Sequence, residues 1–142
     1  MLILIGKEYA EQLQLSICAA QKSVKMIVFC WSLQEEKRCD SLLKINNAVR
    51  FAIQKGVKIE CLNGSEGLTR QLNSIGVKAK YLTNFKIIHA KFILIDDEIL
   101  FIGSHNLTKC AMESNLELSI RINLVGFVNE ATPLFDKLWS SV

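Results

Sequence analysis

Apolar positions along the chain come in short blocks whose spacing switches between helical and extended. Across residues 7–20, Tyr9, Leu13, Ile17 and Ala20 recur every three to four positions, which predicts a helix with one buried face. Residues 24–31 run apolar and β-branched and predict a buried strand. Asp40 is placed to cap a second helix that turns Leu42, Leu43, Ala48, Val49, Ala52 and Ile53 inward, with Gly56 to end it. A strand over 57–62, a loop over 63–67, a short helix over 68–75 stopped by Gly76, and a strand over 77–82 follow. This alternation predicts parallel strands covered by helices on both faces.

The second half changes style. Residues 91–95 and 99–102 are apolar runs bracketing the acidic turn Asp96, Asp97 and Glu98, which predicts a hairpin. Residues 116–122 read as one more strand, and 125–139 as a closing helix with Pro133 placed to kink it. The expected fold is α/β: a mixed, largely parallel β-sheet sandwiched between helices, in one domain over residues 1–142.

Composition narrows the class. With half of its 142 residues apolar and 22% charged, the chain can bury one core and has no room for a second domain. A net charge of +3 tilts only mildly toward anionic partners. Five cysteines, an odd number with no C-x-x-C pair, argue against a disulfide scaffold or a zinc site and for a reducing setting. No stretch reaches the roughly 20 apolar residues that span a bilayer, and residues 1–5 are too short for a signal-peptide core. The expected protein is soluble and cytoplasmic with no transmembrane segment, a reading that leaves room for a leader already removed.

The candidate chemistry lies in the second half, as H-x-K-x4-D-x6-G-S-x-N from His89 to Asn106, with Asn115 and Glu117 downstream. Six fixed positions at about one in twenty each match by chance with odds near 10^-6 in a chain this long, so the pattern is not coincidence. Two residues apart on a strand, His89 and Lys91 point to one face and can converge on one phosphate. Lys91 is suited to neutralise a non-bridging oxygen. Ser104 and Asn106 share a face by the same spacing if the strand from Ile99 continues, adding a hydroxyl and an amide donor. A neutral imidazole attacks phosphorus near pH 7 and leaves a hydrolysable phosphoramidate, with no metal or other cofactor required. In-line displacement asks for a second proton donor opposite, hence a second histidine. His105, between Ser104 and Asn106, should point away from them.

This pattern resembles the signature of the phospholipase D superfamily, matching its fixed positions from His89 to Asn106 and its downstream N-x-E at Asn115 to Glu117. The resemblance implies a phospholipase D-like fold and a catalytic site of His89, Lys91 and Glu117. Lys91, Ser104 and Asn106 would bind the substrate phosphate, and Asp96, Gly103 and Asn115 would hold structure. Five residues after Lys91, Asp96 falls on the opposite strand face at the turn. Glu117 is expected to accept from the far ring nitrogen of His89 or of its symmetry mate. With one H-x-K only, the chain is similar to short bacterial endonucleases that act as homodimers. The expected activity is a metal-independent nuclease cleaving DNA or RNA; a phospholipid-cleaving enzyme and a non-catalytic nucleic-acid-binding subunit are the alternatives. Lys78, Lys80 and Lys86 could form a phosphate-tracking rim with Phe85 stacking on a base, or an ordinary solvated face. The loop at Trp31, Ser32 and Glu35 to Arg38 could shape a groove or be a plain turn.

Overall fold

The computed structural model describes residues 1–123 and 125–142, with the side chains of 127 and 128 left aside. The parallel part of the sheet comes from the alternating first half. β2 (Ser23–Ile27), β3 (Lys58–Asn63) and β4 (Lys78–Tyr81) are parallel neighbours linked by α2 (Asp40–Gln54) and α3 (Glu66–Ser74). β5 (Phe92–Ile95) lies antiparallel on the other side of β2, and a tight turn returns the chain as β6 (Ile99–Gly103). β7 (Ser119–Ile122) and then β1 (Leu2–Leu4) complete that side, giving the order β1-β7-β6-β5-β2-β3-β4. The sheet is mixed, as expected, but two of its six pairings are parallel rather than most of them. A parallel neighbour needs a crossover connection; β5 and β6 are joined by a tight turn instead, and the longer β6–β7 link, which carries the short helix α4 (Lys109–Glu113), still returns the chain antiparallel.

Side-chain alternation on β2 sorts the core into two layers. Val24 and Met26 pack with α1 (Lys7–Ala19) and α2 through Leu13, Ile17, Leu42, Ile45 and Val49. Ile27, one residue out of phase, joins Leu62, Phe92, Leu94, Leu100 and, from α5 (Val125–Ser140), Phe135. Lys25 fixes α5 in place by pairing with Asp97 at 3.1 Å and Asp136 at 3.2 Å, and the Thr132 hydroxyl donates to Asp97 at 2.9 Å. α5 runs through Pro133 without ending there. Among the described residues no helix is long and apolar enough to cross a membrane, and all five cysteines are unpaired.

Several local expectations differ in extent. The strand over 24–31 stops at Ile27; Trp31 returns as an isolated bridge to Leu107, its indole donating to Asn46 at 2.8 Å. Cys39, not Asp40, occupies the cap of α2, and the Asp40 side chain caps nothing, so its place in the first turn favours the helix through the dipole alone. Ile45 and Asn46 are buried on α2 where Leu43 and Ile53 are only half-buried. The strand over 116–122 begins at Ser119, leaving Leu116 and Leu118 exposed.

Candidate active site

The hairpin of β5 and β6 builds the site at one end and locks itself at the other. Asp96 and Asp97 have φ of 53° and 56°, and the Glu98 N–H donates to the Ile95 carbonyl at 3.0 Å, closing a turn that matches strand twist. The Asp96 carboxylate accepts the backbone N–H groups of Gln21, Lys22 and Ser23 at 2.8, 2.7 and 2.9 Å. Burial alone would raise its pKa; these three donors outweigh that and hold it below the usual carboxylate range. The four residues of β5 lie between Lys91 and Asp96, which puts Asp96 roughly 17 Å along the extended chain from Lys91 and farther still from His89.

His89 and Lys91 lie not in β5 but in the extended segment leading into it. Extended backbone keeps the two-residue spacing effective: Lys91 Nζ lies 3.1 Å from His89 Nε2 and donates to the His89 carbonyl at 2.8 Å. An ammonium can only donate, so the His89 Nε2 lone pair is the acceptor in this contact. Phe29 backs the pair, with its ring centroid 5.1 Å from the His89 ring and 5.2 Å from Lys91 Nζ. Burial lowers the Lys91 pKa against the opposing charge of Glu117.

The facing wall comes from β6 and β7. Gly103 is required there: a Cβ would fall 2.4 Å from Ser119 Cα and 2.5 Å from the Leu118 carbonyl oxygen. That close approach lets the Ser104 N–H donate to the Leu118 carbonyl at 3.0 Å, while the Ser104 hydroxyl accepts from the Leu118 N–H at 3.0 Å and donates to Glu117. Asn115 Nδ2 donates to the other Glu117 oxygen at 3.0 Å. Burial would raise the Glu117 pKa, but these bonds and the Lys91 charge hold it low, so Glu117 is a fixed carboxylate. No hydrogen bond joins Glu117 to His89 of the same chain among the described residues.

An open cavity of about 410 Å³ lies between these walls, lined by His89, Lys91, Gly103 and Ser104 on the polar side. Ile27, Phe92, Ile102, Leu134 and Leu138 form its apolar side. An adjoining cleft of about 280 Å³ extends past His89 to Phe85 and Ile87. β6 ends at Gly103, so Ser104 and Asn106 do not share a strand face: Ser104 is exposed, whereas Asn106 turns its Oδ1 into the protein. The loop is pinned by Leu107, whose N–H donates to the Cys30 carbonyl at 3.0 Å and whose carbonyl accepts from Ser32 at 2.9 Å. His105 points away from the cavity into the core, where it is 2% exposed.

Other candidates fall elsewhere. The Lys80 ammonium lies 4.4 Å over the Trp139 ring and donates to the carbonyls of Trp139 and Val142 at 3.1 and 3.0 Å, so it ties down the end of α5 rather than a rim. The loop after Trp31 is a 3₁₀ turn over Gln34–Arg38, held by Glu36 to Arg50 and Asn46 and by Glu35 to the Lys109 N–H. Phe29 was missed, because a phenylalanine in an apolar run reads as core; its place at the carboxyl end of β2, on the face opposite Val28, was the available signal.

These features define a phosphodiesterase-type domain, and residues 13–139 match the family described as "Cardiolipin synthase, PLD-like domain". The chain belongs to this family of the phospholipase D superfamily. By sequence it is 26% identical over 135 residues to the "Mitochondrial cardiolipin hydrolase" of Canis lupus familiaris, and likewise to that of Homo sapiens; each alignment covers 94% of this chain and 52% of the relative. The chain thus spans about half the length of these relatives. In fold it is similar to NucT from Helicobacter pylori (TM-score 0.77, 19% identity, covering 99% of this chain and 95% of that one). It is also similar to the phospholipase D family member Nuc from Salmonella typhimurium (TM-score 0.79, 20% identity, 98% and 94% covered).

Proposed function

We propose that the chain is one half of a metal-independent phosphodiesterase that cleaves nucleic acid through a phosphohistidine and completes its site by pairing with a second copy. The observation that carries this is the 3.1 Å contact of His89 Nε2 with Lys91 Nζ at the mouth of an open cavity, with a fixed Ser104–Glu117 wall opposite. His89 Nε2 attacks phosphorus while Lys91 balances charge on a non-bridging oxygen. The P–O bond opposite breaks, and the leaving oxygen takes a proton from the second copy's histidine. Water, deprotonated by that same histidine, then attacks phosphorus and releases His89. The other histidine of this chain is buried and cannot serve. Exposed Phe29, Ile102, Leu116, Leu118 and Leu134 give the self-complementary contact an apolar surface to bury. Glu117, bonded within its own chain to Ser104 and Asn115, has its role in orienting the second copy's histidine.

A specific observation favours a second reading: the apolar side of the cavity suits an acyl chain as well as a base, and the sequence relatives are described as cardiolipin hydrolases. Cleavage of labelled single- and double-stranded DNA, of RNA and of cardiolipin vesicles, all in excess EDTA, separates the two. Nucleic-acid cleavage that survives the chelator and is lost in His89→Ala establishes the first; cleavage of vesicles alone establishes the second. Binding of nucleic acid with no turnover would leave a binding subunit, and cleavage that depends on magnesium would overturn the mechanism.

A further inference from the structure

Behind the loop over residues 104–107 lies a separate small cavity of about 10 Å³, lined by Tyr9, Cys30, Lys91, His105, Asn106 and Leu107 among others. This is the space that one water molecule occupies. Two buried atoms of its lining residues, His105 Nε2 and Asn106 Oδ1, have no protein partner. His105 is otherwise firmly held: its Nδ1 is 2.7 Å from Ser119 Oγ, and its ring stacks on Tyr9 at 4.0 Å with planes 7° apart. Burial keeps the ring neutral, its pKa pushed down to about 4 against the pull of Glu117, so one nitrogen donates and the other accepts.

We propose that this cavity is a one-water site joining His105 Nε2 to Asn106 Oδ1, and that His105 is thereby a positioning residue for the Asn106 amide. The Ser119 hydroxyl donates to Nδ1, which leaves the ring proton on Nε2. The water accepts that proton and donates one of its own to Asn106 Oδ1. A flipped amide would offer the water a second donor and leave it short of acceptors in a pocket lined mainly by apolar side chains. With its oxygen held inward, the amide presents Nδ2 outward as a donor, the sense a phosphate requires; this last step rests on the functional reading above.

Two substitutions test the arrangement. His105→Asn can keep a bond to Ser119 but loses the group at Nε2, whereas His105→Gln reaches the Nε2 position with an amide donor. Both lose the Tyr9 stack, so a general folding defect would strike both alike. Titration with inorganic phosphate should weaken roughly tenfold in His105→Asn, the effect of a lost hydrogen bond to a charged group, and change little in His105→Gln. In an Asn106→Ala background His105→Asn should have no further effect. High-resolution crystals of the wild type should hold the water. A dry cavity, or a His105→Asn effect undiminished without Asn106, overturns the proposal. A wild type that holds the water and shows the coupling yet cleaves no diester would support this inference while sinking the functional reading; cleavage with a dry cavity would do the reverse.

Discussion

At the scale of single residues, the proposed mechanism makes His89 the nucleophile and Lys91 the charge stabiliser, and their removal should differ accordingly. His89→Ala should abolish turnover, while Lys91→Met should lower kcat by about 10^2 to 10^3, as loss of one preorganised charge does. Rates on a soluble diester such as bis(p-nitrophenyl) phosphate check both, and a fully active Lys91→Met would remove lysine from the mechanism. His105 gives a separate prediction. Its folded-state pKa of about 4 lies below the ordinary 6.5, so between these pH values the unfolded chain binds a proton that the folded chain refuses. The associated stability is whole above about pH 6.5 and is lost as pH falls to about 4, by roughly 3 kcal/mol. Urea unfolding across this range should show the loss, and His105→Gln should flatten it. Asp96, whose pKa is depressed, contributes stability that is whole above the ordinary carboxylate range and is lost only in more acid solution. The meeting of His89 and Lys91 was legible because spacing fixes direction in extended chain, whereas the same spacing misplaced Asn106 beside Ser104, since β6 ends at Gly103. Phe29 and the tethering of Lys80 were not legible, since each depends on a residue distant in sequence.

At the scale of elements, the β5–β6 hairpin connects sequence to site, being stitched by Asp96 at its turn and cramped by Gly103 at its open end. Gly103→Ala places a methyl group inside the backbone of β7, which must move or unpair. It should cost about 3 kcal/mol or more and displace Ser104 and Glu117, read as a lowered denaturation midpoint together with lost activity. Asp96→Ala instead strips three N–H groups of their acceptor. Stability should fall by roughly 2 to 3 kcal/mol, with the activity of the remaining folded protein largely retained, because the turn lies a strand's length from the cavity. Inactive but fully folded Asp96→Ala protein would contradict its structural role. The elements themselves were legible wherever periodicity was strong, as in α1 and α2. Strand direction was not: alternation of helix and strand predicts parallel pairing only while each strand is followed by a crossover, and the link from β4 to β5 carries the chain across β3 and β2 without a helix.

At the scale of the molecule, one chain presents one exposed histidine, whereas the proposed in-line displacement uses two, one on each side of phosphorus. A site shared by two copies of the chain has a quantitative consequence that a self-sufficient chain lacks. If wild type is mixed with an equal amount of His89→Ala and the copies exchange freely, only about a quarter of the pairs carry two histidines. Activity should then fall to about half of what the same wild-type protein gives alone, and further as the inactive variant is added in excess. Independent chains would keep all of it at every ratio. The decline should also require exchange: covalently cross-linking the wild-type pairs beforehand should abolish it. Sedimentation should find a mass twice that of one chain at working concentrations. An active protein that sediments as a single chain and ignores the added variant would show that the second proton donor comes from somewhere other than another copy.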